Sequence, residues 1–136
     1  MSEPLDTVRR LIAATNAHEL DAMVACFAED YELEMPAHPA RGFHGREQVR
    51  RNWEQIFGFV PDIAVELLRS SVDGETVWTE QEMRGQRRDG SLHLMRGPLL
   101  FGVRDGLIRW GRFYLELVDD STQTVADVLE PRAASR

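Results

Sequence analysis

Three Asp-Gly pairs, Asp73–Gly74, Asp89–Gly90 and Asp105–Gly106, recur every sixteen residues through the second half of the chain. Asp-Gly between alternating apolar segments is a hairpin signal, because both residues of a tight turn then tolerate positive φ. Three such turns divide residues 62–118 into four successive antiparallel strands, expected at about 62–72, 75–88, 91–104 and 107–118. The segments share no further self-similarity, so this is not a solenoid. Strands about twice the usual five or six residues must bend around something. Gly85, Gly97, Gly102 and Gly111 lie inside them, and Pro98 follows Gly97. Interior glycine and proline read as bulges or bends, so the expected sheet is curved and has a concave face.

The first half supplies the helices to cover that face. Leu5, Val8, Leu11, Ile12 and Thr15 repeat at three- and four-residue steps behind Pro4, and Leu20, Met23, Val24 and Phe27 form a second stripe after a break at residues 16–19. Tyr31–Met35 alternates apolar with acidic residues and reads as a short strand. Residues 36–42 carry two prolines and a glycine and read as a loop, while Arg46–Phe57 resumes helical spacing with Gly58 as its stop. Residues 119–136 are acidic, then alanine-rich, and read as a tail or short terminal helix. The expectation is one domain over residues 1–118 and a tail over 119–136.

Composition narrows the function classes. At 136 residues and 43% hydrophobic, the chain builds one core without a disulfide or metal staple. Its 16 basic residues, all Arg, stand against 23 acidic ones, for a net charge of −7, and form no basic stripe to meet nucleic-acid phosphates. The single Cys26 rules out an internal disulfide and a cysteine-type zinc site. No histidine pair has the i, i+4 spacing of metal ligands, so neither metal nor cofactor is expected. No apolar run approaches the ~18 residues of a membrane span, and the acidic start lacks a signal-peptide pattern. The expected location is the cytoplasm.

The run Arg10-Leu-Ile-Ala-Ala-Thr-Asn-Ala-His-Glu-Leu-Asp-Ala-Met-Val-Ala-Cys-Phe-Ala-Glu-Asp30 resembles the opening helices of Δ5-3-ketosteroid isomerase. Phe101-Gly-Val-Arg-Asp-Gly-Leu-Ile108, ending in Phe113-Tyr-Leu-Glu116, is similar to SnoaL-like polyketide cyclases and limonene epoxide hydrolase. The likeness spans about residues 5–118 and implies the α+β nuclear transport factor 2-like fold, a cone of three N-terminal helices on a strongly curved antiparallel sheet. That fold hosts unrelated activities. The isomerase's tyrosine and two aspartates would fall on Leu11, Met35 and near Leu99, none of which can move a proton. The hydrolase's Arg and first Asp would fall on Gln81 and Met83, and its last-strand aspartate on Glu116, which keeps a carboxylate.

In the register the resemblance implies, Val77, Thr79, Gln81 and Met83 face inward, with Met95, Leu99, Phe101 and Val103 beside them. A one-residue slip would instead turn Glu80 and Glu82 inward; Val77 and Met83 are the better core residues. The last strand would contribute Ile108, Trp110, Arg112, Tyr114 and Glu116, and Met35, Leu11 and Trp53 would close the helical side. This lining is apolar and methionine-rich with a few convergent polar groups, as in a small-molecule pocket; the same methionines also suit ordinary core packing. The expected catalytic set is Glu116 as base, Gln81 and Tyr114 orienting water or substrate, and Arg112 setting charge. The expected binding set is Met35, Trp53, Met83, Met95, Leu99, Trp110 and, from the covering loop, His38. His93 reads either as an acid or base at the pocket mouth or, the favoured reading, as an exposed strand residue, its facing depending on a bulge at Gly97–Pro98. The opposite face, with Trp78, Glu80, Glu82, Arg84, Leu100, Arg109 and Phe113, resembles a dimer surface, and the resemblance implies a homodimer through it. Two functions follow: a cofactor-free isomerase, cyclase or hydrolase acting on a hydrophobic small molecule, or a non-catalytic ligand-binding or dimerisation module.

Overall fold

The computed structural model describes residues 3–130. In chain order it contains α1 (Pro4–Asn16), α2 (Leu20–Val24), β1 (Phe27–Glu34), a 3-10 turn (Pro39–Arg41), β2 (Phe43–His44), α3 (Arg46–Phe59), β3 (Ala64–Asp73), β4 (Thr76–Gln86), β5 (Leu92–Arg104), β6 (Leu107–Phe113), β7 (Glu116–Leu117) and α4 (Val125–Leu129). The strands form one curled sheet in the order β2-β1-β6-β5-β4-β3, with β7 pairing to β5 beyond the end of β6. All neighbours are antiparallel except β1 and β6, which run parallel.

Helix α1 starts where Pro4 costs no hydrogen bond, and Glu3 and Asp6 exchange reciprocal capping bonds. It packs against β3, β4, β5 and β6. Its far end is stitched to the start of β3: the Asn16 side chain donates to the Val65 carbonyl at 2.9 Å and accepts from the Val65 amide at 2.6 Å. His18, at φ 57°, turns the chain towards α2 and places its Nε2 2.9 Å from the Ile63 carbonyl. The core runs through Val8, Tyr31, Val77, Phe101 and Ile108, all 1% exposed or less.

The three Asp-Gly pairs make three different turns. Asp105 and Gly106 both take positive φ (55° and 72°), the type I′ pattern. In the first hairpin Asp73 still pairs with Thr76, so the tight turn is Gly74–Glu75 and only Gly74 is at positive φ, 61°. The second is a longer loop in which the Asp89 carboxylate accepts from both the amide and hydroxyl of Ser91. The helical expectation through Phe27 is corrected: α2 ends at Val24, and β1 begins at Phe27, where pairing with Ile108 holds the chain extended. Helix α3 runs through Gly58 to Phe59. The fourth long strand is interrupted at residues 114–115, leaving β6 and a separate β7.

Candidate functional site

A cavity of about 280 Å3 lies between the concave sheet face and the helices, near the lower end of the range for ligand pockets. Helix α1 lends it Leu11, Ile12 and Thr15, and α3 lends Trp53 and Ile56. Strand alternation delivers the rest, because successive side chains on a strand point to opposite faces. Gln81 and Met83 come from β4, and His93, Met95, Leu99 and Phe101 from β5. The lining reaches solvent at Phe59, which is 53% exposed. Among the described residues, no Asp, Glu or Arg side chain lines this cavity.

Gln81 is its most telling polar group, at 3% exposure. The hydroxyl of Thr79, beside it on the inner face, donates to the Leu99 carbonyl at 2.7 Å. With its one hydrogen committed, that hydroxyl can only accept, and it does so from Gln81 Nε2 at 3.0 Å. This orders the amide: Nε2 is held against the sheet, and the carbonyl oxygen Oε1 is left with no partner among the described residues. An enclosed carbonyl of this kind is costly unless something donates to it.

Two further polar side chains face the same space. His93 stands edge-on to Phe59, ring centroids 6.0 Å apart, and its enclosed Nδ1 has no partner. Burial, with the Arg87 guanidinium nearby, pushes its pKa down, so the ring is neutral at pH 7. Tyr31 lies where Gly111 leaves room; a Cβ there would stand 2.5 Å from its hydroxyl. Burial pushes the Tyr31 pKa up and keeps it a phenol. Methionines Met83 and Met95 face each other across β4 and β5 as register partners.

Of the residues expected at the site, Gln81, Met83, Met95, Leu99 and Trp53 line the cavity together. The other six lie outside its lining. For the four of them from the last strand, Trp110, Arg112, Tyr114 and Glu116, the cause is register. Gly102 pairs with Trp110 and Val103 with Ile108, so Arg109 is a surplus residue, a bulge pinned by its guanidinium donating to the Arg104 carbonyl at 3.1 and 3.3 Å. Beyond it the inner face belongs to Gly111, Phe113 and Leu115, not to Trp110, Arg112 and Tyr114. Trp110 sits on the outside over Gly102, where any Cβ would collide with its indole. Arg112 donates to Glu34 at 2.8 Å, with the Tyr114 hydroxyl close enough to hold its pKa up. Glu116, on β7, is half exposed and lies 2.8 Å from His38 Nε2. Met35 lines a smaller depression with Pro36, Pro39 and Arg112. Phe113, expected on the outer face, is an inner residue.

The expected bulge at Gly97–Pro98 is absent from the β4–β5 ladder, which pairs Glu80 with Pro98 and Gln81 with Gly97 without a shift. His93 therefore keeps phase with Met95 and Leu99 and faces inward. Gly97 instead answers the gap between β6 and β7, where the Tyr114 carbonyl comes so close that a side chain would overlap it. Sequence reasoning missed Phe43, Asn52, Phe113 and Leu115 as lining residues. For the last two a signal existed: Phe113 and Leu115 are the apolar members of their segment, whereas the phase chosen placed Arg112 and Glu116 inside. Among the described residues no cluster of three His, Cys, Asp or Glu side chains is placed to hold a metal ion, and no helix is long and apolar enough to cross a membrane.

A model of the SnoaL-like domain family matches residues 8–110. Among solved structures, the chain is similar to wild-type IdmH, described as a candidate polyketide cyclase from Streptomyces antibioticus, at 22% identity and TM-score 0.74 over 85% of this chain and 93% of that one. It is similar to an epoxide hydrolase from M. tuberculosis at 20% identity and TM-score 0.72, covering 83% and 82% of the two chains. A protein with a ketosteroid isomerase-like fold from Catenulispora acidiphila, in complex with trimethylamine, matches at 19% identity and TM-score 0.70 over 79% and 84%. At these identities the likeness shows the fold. Among curated proteins nothing matches.

Proposed function

Because the chain belongs to the SnoaL-like domain family, we propose that the space between its helices and sheet is a binding site for a neutral, hydrophobic small molecule. The observation that carries this reading is the void itself. It is a concave space of about 280 Å3, walled mainly by apolar and aromatic side chains with a few convergent polar groups, the make-up of a small-molecule site. The lining holds no ionised group to attract a charged one.

The solved neighbours described as a candidate cyclase and an epoxide hydrolase keep a cofactor-free isomerase, cyclase or hydrolase activity in view. In this chain such chemistry would draw on His93 as proton acceptor and Gln81 as the orienting amide, with the Tyr31 phenol and the Asn52 amide also on the lining. Glu116 is not carried forward as the base, because it faces His38 and solvent. Binding of 2-naphthol checks the reading. Calorimetry should find saturable binding at one site per chain, and Met95→Trp, which fills the cavity with an indole, should abolish it. A wild-type protein that takes up no neutral aromatic would overturn the proposal.

The homodimer reading also stands as a proposal. Trp78 is 50% exposed on the outer face of β4. Around it lie the ion pairs Arg69–Glu80 at 3.0 Å and Arg96–Glu82 at 2.8 Å, an apolar centre with a polar rim. Solution scattering should give a dimer mass at tens of micromolar and a monomer for Trp78→Glu; a monomeric wild type would count against it.

A further inference from the structure

The enclosed amide of Gln81 restricts what the cavity accepts. We infer that its ligand carries a hydroxyl on an otherwise apolar, uncharged frame, and that this hydroxyl donates its hydrogen to Gln81 Oε1. The inference rests on the binding proposal above and narrows it to a class of molecule.

Three observations converge on it. The Thr79 hydroxyl gives its hydrogen to the Leu99 carbonyl and receives the Gln81 N–H, so the chain of donors is fixed from the sheet outwards and ends on Oε1. That oxygen has no partner among the described residues, and Gln81 is 3% exposed, so it opens onto the cavity and not onto bulk water. Its neighbours on the inner face of β4 and β5, Met83, Met95 and Leu99, have no side-chain donor, and the other polar side chains of the lining, Thr15, Tyr31, Asn52, Trp53 and His93, make no hydrogen bond to it. The ligand supplies the donor. An ether or a bare hydrocarbon entering the site would cover it without pairing it, which is the costly case. A carboxylate or phosphate would meet an acceptor instead of a donor, with no cation in the lining to compensate. An ammonium group would donate well but would leave its own charge enclosed without a counter-ion. The neutral hydroxyl is the donor that carries neither penalty.

This also assigns the pair Thr79–Gln81 a positioning role that neither residue has alone. Without the Thr79 hydroxyl the amide could flip and offer its N–H groups to the cavity, reversing the preference.

The experiment uses matched probes on the intact protein: 2-naphthol and its methyl ether, 2-methoxynaphthalene, which keeps the rings and the oxygen and lacks only the donor. Calorimetry should show wild type binding the naphthol at least about tenfold more tightly, the usual consequence of leaving one enclosed acceptor unpaired. In Gln81→Met, which keeps the length and removes the carbonyl, the ratio should fall to within about twofold, with the ether binding no worse than it binds wild type. Thr79→Val should shrink the ratio while leaving Gln81 in place, so the inference survives should one variant fold poorly. Equal binding of both probes by wild type would overturn the donor inference and leave the cavity reading intact. A naphthol preference that persists in Gln81→Met would overturn the assignment to Gln81. Failure of both probes to bind wild type would overturn the cavity reading with it.

Discussion

The cavity wall and the outer end of the sheet treat polar groups in opposite ways. Outside, charged groups pair with one another: Arg112 meets Glu34 at 2.8 Å, His38 meets Glu116 at 2.8 Å, and Glu82 sits between Arg96 and Arg84, which hold its carboxyl below the usual range. Inside, the carbonyl oxygen of Gln81, a residue 3% exposed, and the enclosed Nδ1 of His93 lack protein partners. Surface ion pairs in solvent contribute little to stability. An unpaired group in an apolar enclosure is expensive, and a fold retains it more readily where something else completes it. The contrast separates two clusters that look equally chemical on paper: the proposed site is the one whose polar groups lack protein partners.

The largest test removes a wall of the cavity. Phe101 is 1% exposed and packs edge-on against Phe113 at 5.4 Å, so Phe101→Ala should cost about 3–5 kcal/mol of unfolding free energy in urea. A cost below about 1 kcal/mol would mean the inner layer is not a packed wall. A middle-sized effect comes from acid. Burial holds the folded His93 pKa below the ordinary 6.5 of the unfolded chain, so as pH falls past that value the unfolded chain binds more protons and stability drops. Comparing urea midpoints at pH 7.5 and 5.5, His93→Phe should lose part of that decline, by under about 1 kcal/mol. An unchanged slope would place the imidazole in a wetter setting than described. The smallest effect belongs outside: Glu116→Gln should shift stability by less than about 0.5 kcal/mol and leave naphthol affinity within twofold. A large loss of affinity would return Glu116 to the site.

Much of the architecture was legible because the Asp-Gly turns pin three hairpins whose strands then alternate predictably. On β4, Val77, Thr79 and Gln81 are buried while Trp78 is exposed, as alternation from the turn requires. The same rule failed on β6, twenty residues later, for a reason local to it. A surplus Arg109 braced by a backbone carbonyl leaves no mark in composition, yet it exchanges the faces for everything beyond it. The parallel pairing of β1 with β6 was equally invisible, since nothing in Phe27–Glu34 names its neighbour. The two-residue β2 is too short to alternate at all. What the sequence could supply was a list of chemically able side chains; which of them meet was decided by one bulge.

That bulge has a consequence for how such a container changes over generations. The inner character of the last strand depends on where a single extra amino acid is absorbed, not on which amino acids follow. Were the slack taken up four positions later, Trp110 and Arg112 would replace Gly111 and Phe113 among the interior contacts, and a greasy vessel would become a cationic one with no codon for either residue altered. Relatives that differ by one residue in this stretch should accordingly be compared by strand phase before their residues are matched by column.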